Sequence, residues 1–300
     1  MMDWDKLRMF HAVAEAGSFT KAGQALGLSQ SAVSRQISVL ERDLNLLLFH
    51  RHARGLELTE QGEILFHETR DINRKIEFVT ARLTDTKDSP SGELRITASV
   101  AFGSTWLTPR ISEFLEMYPD INMTLLVSDF EIDLSQRTAD VAIRLGQPTQ
   151  PNLIARKVLT IRNHIYASRD YIARHGEPMT IADLEKHELV TYGATAPTPI
   201  QHINWLENMH IKARRSGPTL KLNNLYGMLL AVEAGCGIAA LPDYMVDGRS
   251  NIVRILTDLE GPSIDAHFVY LEEQRDTKRI NVFRDFLLAK VAESKFAQGV

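Results

Sequence analysis

The sequence predicts a helical N-terminal domain with a two-stranded appendage, one long connecting helix, and a C-terminal α/β domain. Three observations lead there. Three short helical patterns separated by glycine follow Asp3, the stretch from Thr59 to Thr86 contains no proline, and strand and helix patterns alternate beyond Gly92.

A chain of 300 residues has room for two or three cores. Its hydrophobic share of 44% and charged share of 24% are those of globular proteins. No apolar run approaches the roughly 20 residues of a membrane span. The start, MMDWDKLRMF, is amphipathic and lacks a secretory signal's apolar core, so a cytoplasmic protein is expected. The single cysteine, Cys236, excludes an internal disulfide. Net charge is −4, so contact with nucleic acid has to come from a local face.

In the first segment Leu7, Phe10, Val13 and Ala14 recur at helical spacing after Asp3, a candidate N-cap. Gly17 ends that helix and Ser18 caps the next, where Ala22, Ala25 and Leu26 are expected to form a face of small residues. Gly27-Leu28 makes a tight turn and Ser29 caps a third helix. This order is a helix-turn-helix. On the third helix Val33, Ile37, Leu40 and Leu44 share one stripe, and Ser31, Ser34, Arg35, Ser38 and Arg42 lie broadly opposite. An ordinary solvated face is richer in Glu and Lys. Short hydroxyls let a helix sit deep in the major groove of double-stranded DNA, and arginine reaches guanine edges or phosphates. Next, LFHRHARGLELTEQG reads as two strands around a turn at Arg54-Gly55, a wing that carries His50, Arg51, His52 and Arg54 toward the phosphate backbone. His50 and His52 lack companion ligands at metal spacing, so no metal site is expected.

The run SFTKAGQALGLSQSAVSRQISVLERDLNLLLFHRHARGLELTEQG resembles the DNA-binding domain of LysR-type transcriptional regulators nearly along its length. It shares the paired small residues after SFT, the LSQSAVSRQISVLE helix, the LFHR lead-in to the wing and the LTEQG exit. Many members carry proline where Ser31 stands. By this resemblance Gln30, Ser31, Ser34 and Arg35 face the groove, joined on the same helix face by Ser38, and Arg51 and Arg54 are wing contacts. The DNA-binding domain is assigned to residues 1–58.

Residues 59–88 are read as a dimerising linker helix. Leu65, Ile72 and Val79 repeat every seven residues, with Thr69, Ile76 and Leu83 interleaved. Charged residues such as Glu63, Glu68, Arg70 and Arg74 surround this seam, and Thr69 is a polar break suited to setting register. A dimer presents two recognition helices to successive half-sites. Ser89-Pro90-Ser91-Gly92 reads as a hinge.

Residues 93–300 are read as an α/β domain with a largely parallel sheet. Strands are expected in GELRITASV, INMTLLVS, ADVAIRLG, NHIYAS, CGIAALP and AHFVYLE, and helices in TPRISEFLEMYP, YIARHG, NNLYGMLLAVEAG and NVFRDFLLAKVAE. The phrases TPRISEFLEMYPDI and TADVAIRLG look like the branch of the LysR family that includes the glycine-cleavage activators. The family resemblance implies a two-lobed, periplasmic-binding-protein-like effector domain, with lobe I at about 93–161 and 267–300 and lobe II at about 162–266. In α/β domains ligands sit at the C-terminal ends of strands. Small polar residues gather at such ends here: Ser99 with Ser104 and Thr105, Ser128, Thr195, and Asn223-Asn224. Each alone reads equally as a helix cap. By resemblance Ser99, Ser128 and Thr195 contact the effector. Hydroxyls, amides and helix N–H groups suit a small anion.

Cys236, between Gly235 and Gly237, is expected to be a buried small residue, with a redox role as the alternative. No GxGxxG, P-loop, HExxH or GxSxG motif occurs, and the ten histidines are scattered, so neither an enzyme nor a cofactor is expected. An exported solute receptor, the rival suggested by the C-terminal half alone, conflicts with the N-terminal helices and the missing signal. The resemblance further implies assembly of dimers into tetramers and contact with RNA polymerase at promoters.

Overall fold

The computed structural model describes residues 3–52, 55–84, 89–148, 150–193, 196, 200, 202–208 and 220–294. The chain divides into two compact units, Met1–Thr86 and Lys87–Val300. Among the described residues no helix is long and apolar enough to cross a membrane.

The first unit contains helices α1 (Trp4–Ala16), α2 (Phe19–Leu26) and α3 (Gln30–Leu44), strands β1 (Phe49–His52) and β2 (Gly55–Leu58), and α4 (Glu60–Thr84). Each short helix begins at the expected cap: the side chains of Asp3, Ser18 and Ser29 accept from the amides of Asp5, Lys21 and Ala32. Gly17 and Gly27 end α1 and α2 with left-handed backbone, the conformation that favours glycine. Phe10, Val13, Ala22, Val33, Ile37, Leu40, Leu48 and Phe49 form the core. Full burial of such side chains contributes about 1.5–3 kcal/mol each for the larger ones.

Two local readings are corrected. The buried face of α2 is Ala22 with Gly23, whereas Ala25 is exposed. Gly23 is required because a Cβ there would stand 2.7 Å from the Leu28 carbonyl oxygen, in the turn to α3. On α4, Leu65 and Phe66 pack onto the N-terminal core, and His11 of α1 stacks on Phe66 at 5.2 Å. Thr69 is buried and donates its hydroxyl to the Leu65 and Phe66 carbonyls. The start of the seven-residue seam therefore belongs to the domain's own core. Ile72 and Ile76 remain exposed along it, and Ile64 lies exposed beside it. The side chains of Val79 and Leu83 lie outside the described residues.

The second unit opens with β3 (Gly92–Ala98). A short α5 (Val100–Phe102) runs through a π-helical turn (Gly103–Leu107) into α6 (Thr108–Met117), followed by β4 (Ile121–Val127) and β5 (Val141–Leu145). The 16-residue β6 (Leu153–Ser168) leads to α7 (Arg169–His175), β7 (Val190–Tyr192), α8 (Trp205–Asn208), β8 (Leu220–Leu222), α9 (Leu225–Glu233), β9 (Ala239–Pro242), β10 (Ile252–Ile255), β11 (Ser263–Leu271) and α10 (Lys278–Glu293).

β3 pairs in parallel with β4 and β5, and carries Leu94, Ile96 and Ala98 into the core. The remaining pairings of the large sheet are antiparallel, so it is mixed and not largely parallel. The reason lies in β6 and β11. From Leu153 to Arg162, β6 runs against β11; from Asn163 to Ser168 it runs against β9 and β10. Two sheets thus share one strand, and the chain returns along β11 from Ser263. A long strand carrying two sheets has no local periodicity that distinguishes it from two short ones.

Candidate DNA-binding face and ligand cleft

On α3 the buried stripe is Val33, Ile37, Leu40 and Glu41. Gln30, Ser31, Arg35, Ser38 and Arg42 are exposed and Ser34 is half-buried. The Ser31 hydroxyl lies 3.1 Å from that of Ser29. Arg35 has no ion-pair partner among the described residues, which leaves its guanidinium available to a ligand. Arg54 and the side chain of Arg51 lie outside the described residues. In the wing, His50 and His52 are exposed, with rings stacked at 5.9 Å. No cluster of metal-ligating side chains occurs among the described residues.

Glu41 does not stand out by patterning, yet it holds α3 to the wing. Its Oε1 accepts from the backbone amides of Leu48 (2.9 Å) and Phe49 (3.3 Å), both buried. Thr59 closes the other end: its hydroxyl donates to the Leu47 carbonyl at 2.7 Å and accepts from the Gly62 amide at 3.0 Å, capping α4. Lys6 of α1 pairs with Asp43 at the end of α3 at 2.7 Å, which holds the Asp43 carboxyl below its ordinary pKa. The ties at Glu41 and Asp43 anchor the C-terminal end of α3 to the wing and to α1.

In the second unit the C-terminal ends of β3, β4 and β5 border a cleft of about 450 Å³. Ser99 and Ser128 line it. The Ser99 hydroxyl accepts from the Phe102 amide at 3.4 Å, and that of Ser128 bonds within its own turn to Phe130. Ser104, half-buried in the π turn, lines neither this cleft nor the cavity described next. The same is true of exposed Asn223, whose Oδ1 accepts from Asn224. It is Asn224 that caps α9, by accepting from the Gly227 amide at 2.6 Å. Thr195 lies outside the described residues.

Charged residues missed by the sequence reading flank the two serines. Asp129 accepts from the Val100 amide at 3.0 Å, so this chain's own carboxylate occupies the first free N–H of α5. Burial raises the Asp129 pKa, and that hydrogen bond offsets the rise in part. Arg144 is buried and already donates to the Ile132 carbonyl (2.7 Å) and to Gln150 Oε1 (3.2 Å).

A second cavity adjoins the cleft at Leu145 and Ile200, which border both. Its wall is mostly apolar, including Ile161, Ile203, Leu225 and Tyr244. Tyr244 is buried there, and burial raises the pKa of its hydroxyl. Cys236 is exposed, not buried as its glycine neighbours suggest. A left-handed Gly235 and the positive-φ Gly237 carry it past the end of α9, outside the packed strand β9.

Comparison with known proteins agrees with this architecture. Residues 4–63 match the bacterial regulatory helix-turn-helix protein, lysR family, and residues 87–292 match the LysR substrate binding domain. The HTH-type transcriptional regulator CrgA of Neisseria meningitidis (serogroup C, strain 8013) is 29% identical over 294 residues, covering 97% of both chains. Among solved structures, the full-length virulence activator AphB of Vibrio cholerae superposes with a TM-score of 0.57 at 27% identity, over 96% of this chain and 99% of that one. CrgA from Neisseria meningitidis superposes with a TM-score of 0.58 at 26% identity, over 97% and 99%. The chain belongs to the LysR family of DNA-binding transcriptional regulators, with a helix-turn-helix domain and an effector-binding domain.

Proposed function

We propose that this regulator binds spaced half-sites in promoter DNA as a dimer, and that a small effector held in the cleft of the second unit changes its action there. The observation that carries the reading is the exposed face of α3, where Gln30, Ser31, Ser34, Arg35 and Ser38 lie opposite the apolar stripe of Val33, Ile37 and Leu40. Short hydroxyls allow close approach to base edges, and the arginine supplies bidentate readout. Arg51 and Arg54 in the wing are proposed to hold phosphates, which sets register without reading sequence.

Dimerisation is assigned to α4, whose exposed Ile64, Ile72 and Ile76 need cover. Assembly into tetramers, contact with RNA polymerase and residence in the cytoplasm are part of the same proposal, supported by the family likeness. Ser99 and Ser128 are proposed effector contacts, together with Thr195. Hinging of lobe I (about 93–161 and 267–300) on lobe II (about 162–266) would convert binding into a new placement of the DNA-binding pair. Such coupling requires the effector to prefer one arrangement.

An anionic effector is supported by the hydroxyls of Ser99 and Ser128 and by Arg144 at the cleft wall. It has to compete with Asp129 for the Val100 amide. The test is selection of genomic DNA fragments by the purified protein at near-physiological salt, with and without small organic acids. Enrichment of a few upstream regions sharing an inverted repeat is expected, and Arg35→Ala should weaken it. Equal retention of all fragments, in every condition, would overturn the reading.

A further inference from the structure

We propose that the effector carries an ammonium group, which pairs with Asp129 in the cleft at the C-terminal ends of β3, β4 and β5. This rests on the effector reading above and specifies the ligand's chemistry: an acidic group on the same molecule makes it a zwitterion. Among the described lining residues the charged ones are Asp129, Glu131 and Arg144. Arg144 is buried and held by its own surroundings. It donates to the Ile132 carbonyl at 2.7 Å and to Gln150 Oε1 at 3.2 Å, and its Nε is sealed from solvent. Neither acid has an ion-pair partner among the described residues, so the charges left open in the cleft are negative.

Asp129 is half-buried, and only one of its oxygens is used: Oδ1 accepts from the Val100 amide at 3.0 Å. Oδ2 has no partner among the described residues and, unlike Arg144 Nε, keeps accessible surface. Burial raises the Asp129 pKa, the mark of a carboxylate partly removed from water without a counter-charge. Its field also reaches two phenols, Tyr192 on β7 and Tyr244 beyond β9. Burial raises the pKa of both, and the Asp129 charge raises each further. Neutral phenols supply no compensating charge. The hydrogen-bonding inventory points the same way, because Ser128 already gives its hydroxyl hydrogen to the Phe130 carbonyl at 3.2 Å. An ammonium has three donors and no acceptor, so it satisfies Asp129 Oδ2 in charge and in hydrogen bonding together. Phe130, exposed at the rim between the two acids in sequence, offers apolar surface to the ligand's carbon skeleton.

The experiment is titration calorimetry on the full-length protein with hexylamine, norleucine, 6-aminohexanoate and hexanoate, which share one carbon chain and differ in charge. Saturable binding is expected for at least one amine-bearing probe, with hexanoate about tenfold weaker or more. Asp129→Asn keeps an acceptor for the Val100 amide and removes the charge. It should weaken the amine about tenfold and leave hexanoate no weaker. Glu131→Gln removes an exposed charge from the same cleft and should change little. Hexanoate binding as tightly as every amine, or an amine affinity untouched by Asp129→Asn, would overturn the proposal. So would the absence of saturable binding by any amine at millimolar concentration. Equal losses in Asp129→Asn and Glu131→Gln would overturn the assignment to Asp129. The same samples are assayed for affinity to the selected DNA fragments. If an amine binds through Asp129 and DNA affinity is unmoved, the ligand chemistry stands and the effector reading of the cleft fails. If hexanoate alone binds and shifts DNA affinity, the effector reading stands and this inference fails.

Discussion

Replacing Glu41 with alanine should cost the N-terminal unit a large part of its stability, although the residue lies on the buried side of α3, away from the residues proposed to face DNA. Its Oε1 is the acceptor for two buried amides, those of Leu48 at 2.9 Å and Phe49 at 3.3 Å. Each buried donor left without a partner costs about 1–3 kcal/mol. The longer bond counts at the low end, so the two together amount to about 2–4 kcal/mol. A domain of roughly 60 residues has about 3–9 kcal/mol in total. Glu41→Ala should therefore bring the domain close to its unfolding midpoint, whereas Glu41→Gln keeps an acceptor and should cost about 1 kcal/mol. The assay is urea denaturation of the full chain, combined with hydrogen exchange of the segment containing Leu48 and Phe49. Loss of protection there, with equal loss of affinity for operator and random DNA, is expected. If Glu41→Ala melts at the parent's urea concentration with both amides still protected, the reasoning is refuted.

Four further outcomes can be checked directly. Arg35→Ala should lose about 1–3 kcal/mol on operator DNA and little on random DNA, while Arg54→Ala weakens all sequences alike and lowers the salt dependence; filter binding across salt concentrations separates the two. Gly23→Ala places a Cβ 2.7 Å from the Leu28 carbonyl oxygen, so α2 and α3 must part, and a fall of about 1–3 kcal/mol in urea stability is expected. Asp129 has a raised pKa, so the folded protein holds that proton more tightly than the unfolded chain does. This contribution is therefore lost as pH rises from 3.8 through the folded value, and Asp129→Asn, which keeps an acceptor for Val100, should be the more stable form at pH 7 with the advantage shrinking toward pH 4 in paired urea titrations. Exposed Cys236 should react with a thiol reagent in the native protein at close to its rate in urea, and protection of the native thiol would contradict its placement.

Features carried by neighbours in sequence were legible in the sequence. Caps at Asp3, Ser18 and Ser29 lie within a few residues of the amides they serve, and the stripe Val33, Ile37, Leu40 needs only a helical period. The same holds for Ser99 and Ser128, which stand directly after strands whose alternation is plain. Legibility ends where partners are distant. Thr69 looks like a register mark in a dimer seam because periodicity alone cannot tell whether a helix face meets a second chain or its own α1. Asp129 adjoins a recognised serine, but its role depends on the Val100 amide, 29 residues earlier.

Asn163 shows the limit most clearly. Within NHIYAS it is an ordinary first residue of a strand, and nothing nearby indicates that its amide nitrogen will meet Pro262, 99 residues on. Only once β6 is seen to serve two sheets does it stand at their junction, with Pro262 opening the return path. One residue along, His164 is hydrogen-bonded to Asp243 at 2.7 Å and to Glu260 at 3.0 Å. The first of these bonds ties the outgoing strand to the turn after β9, and the second ties it to the segment that leads back into β11. Two neighbouring residues, Asn163 and His164, therefore tie the crossing of β6 to the turn after β9 and to the segment that leads back into β11.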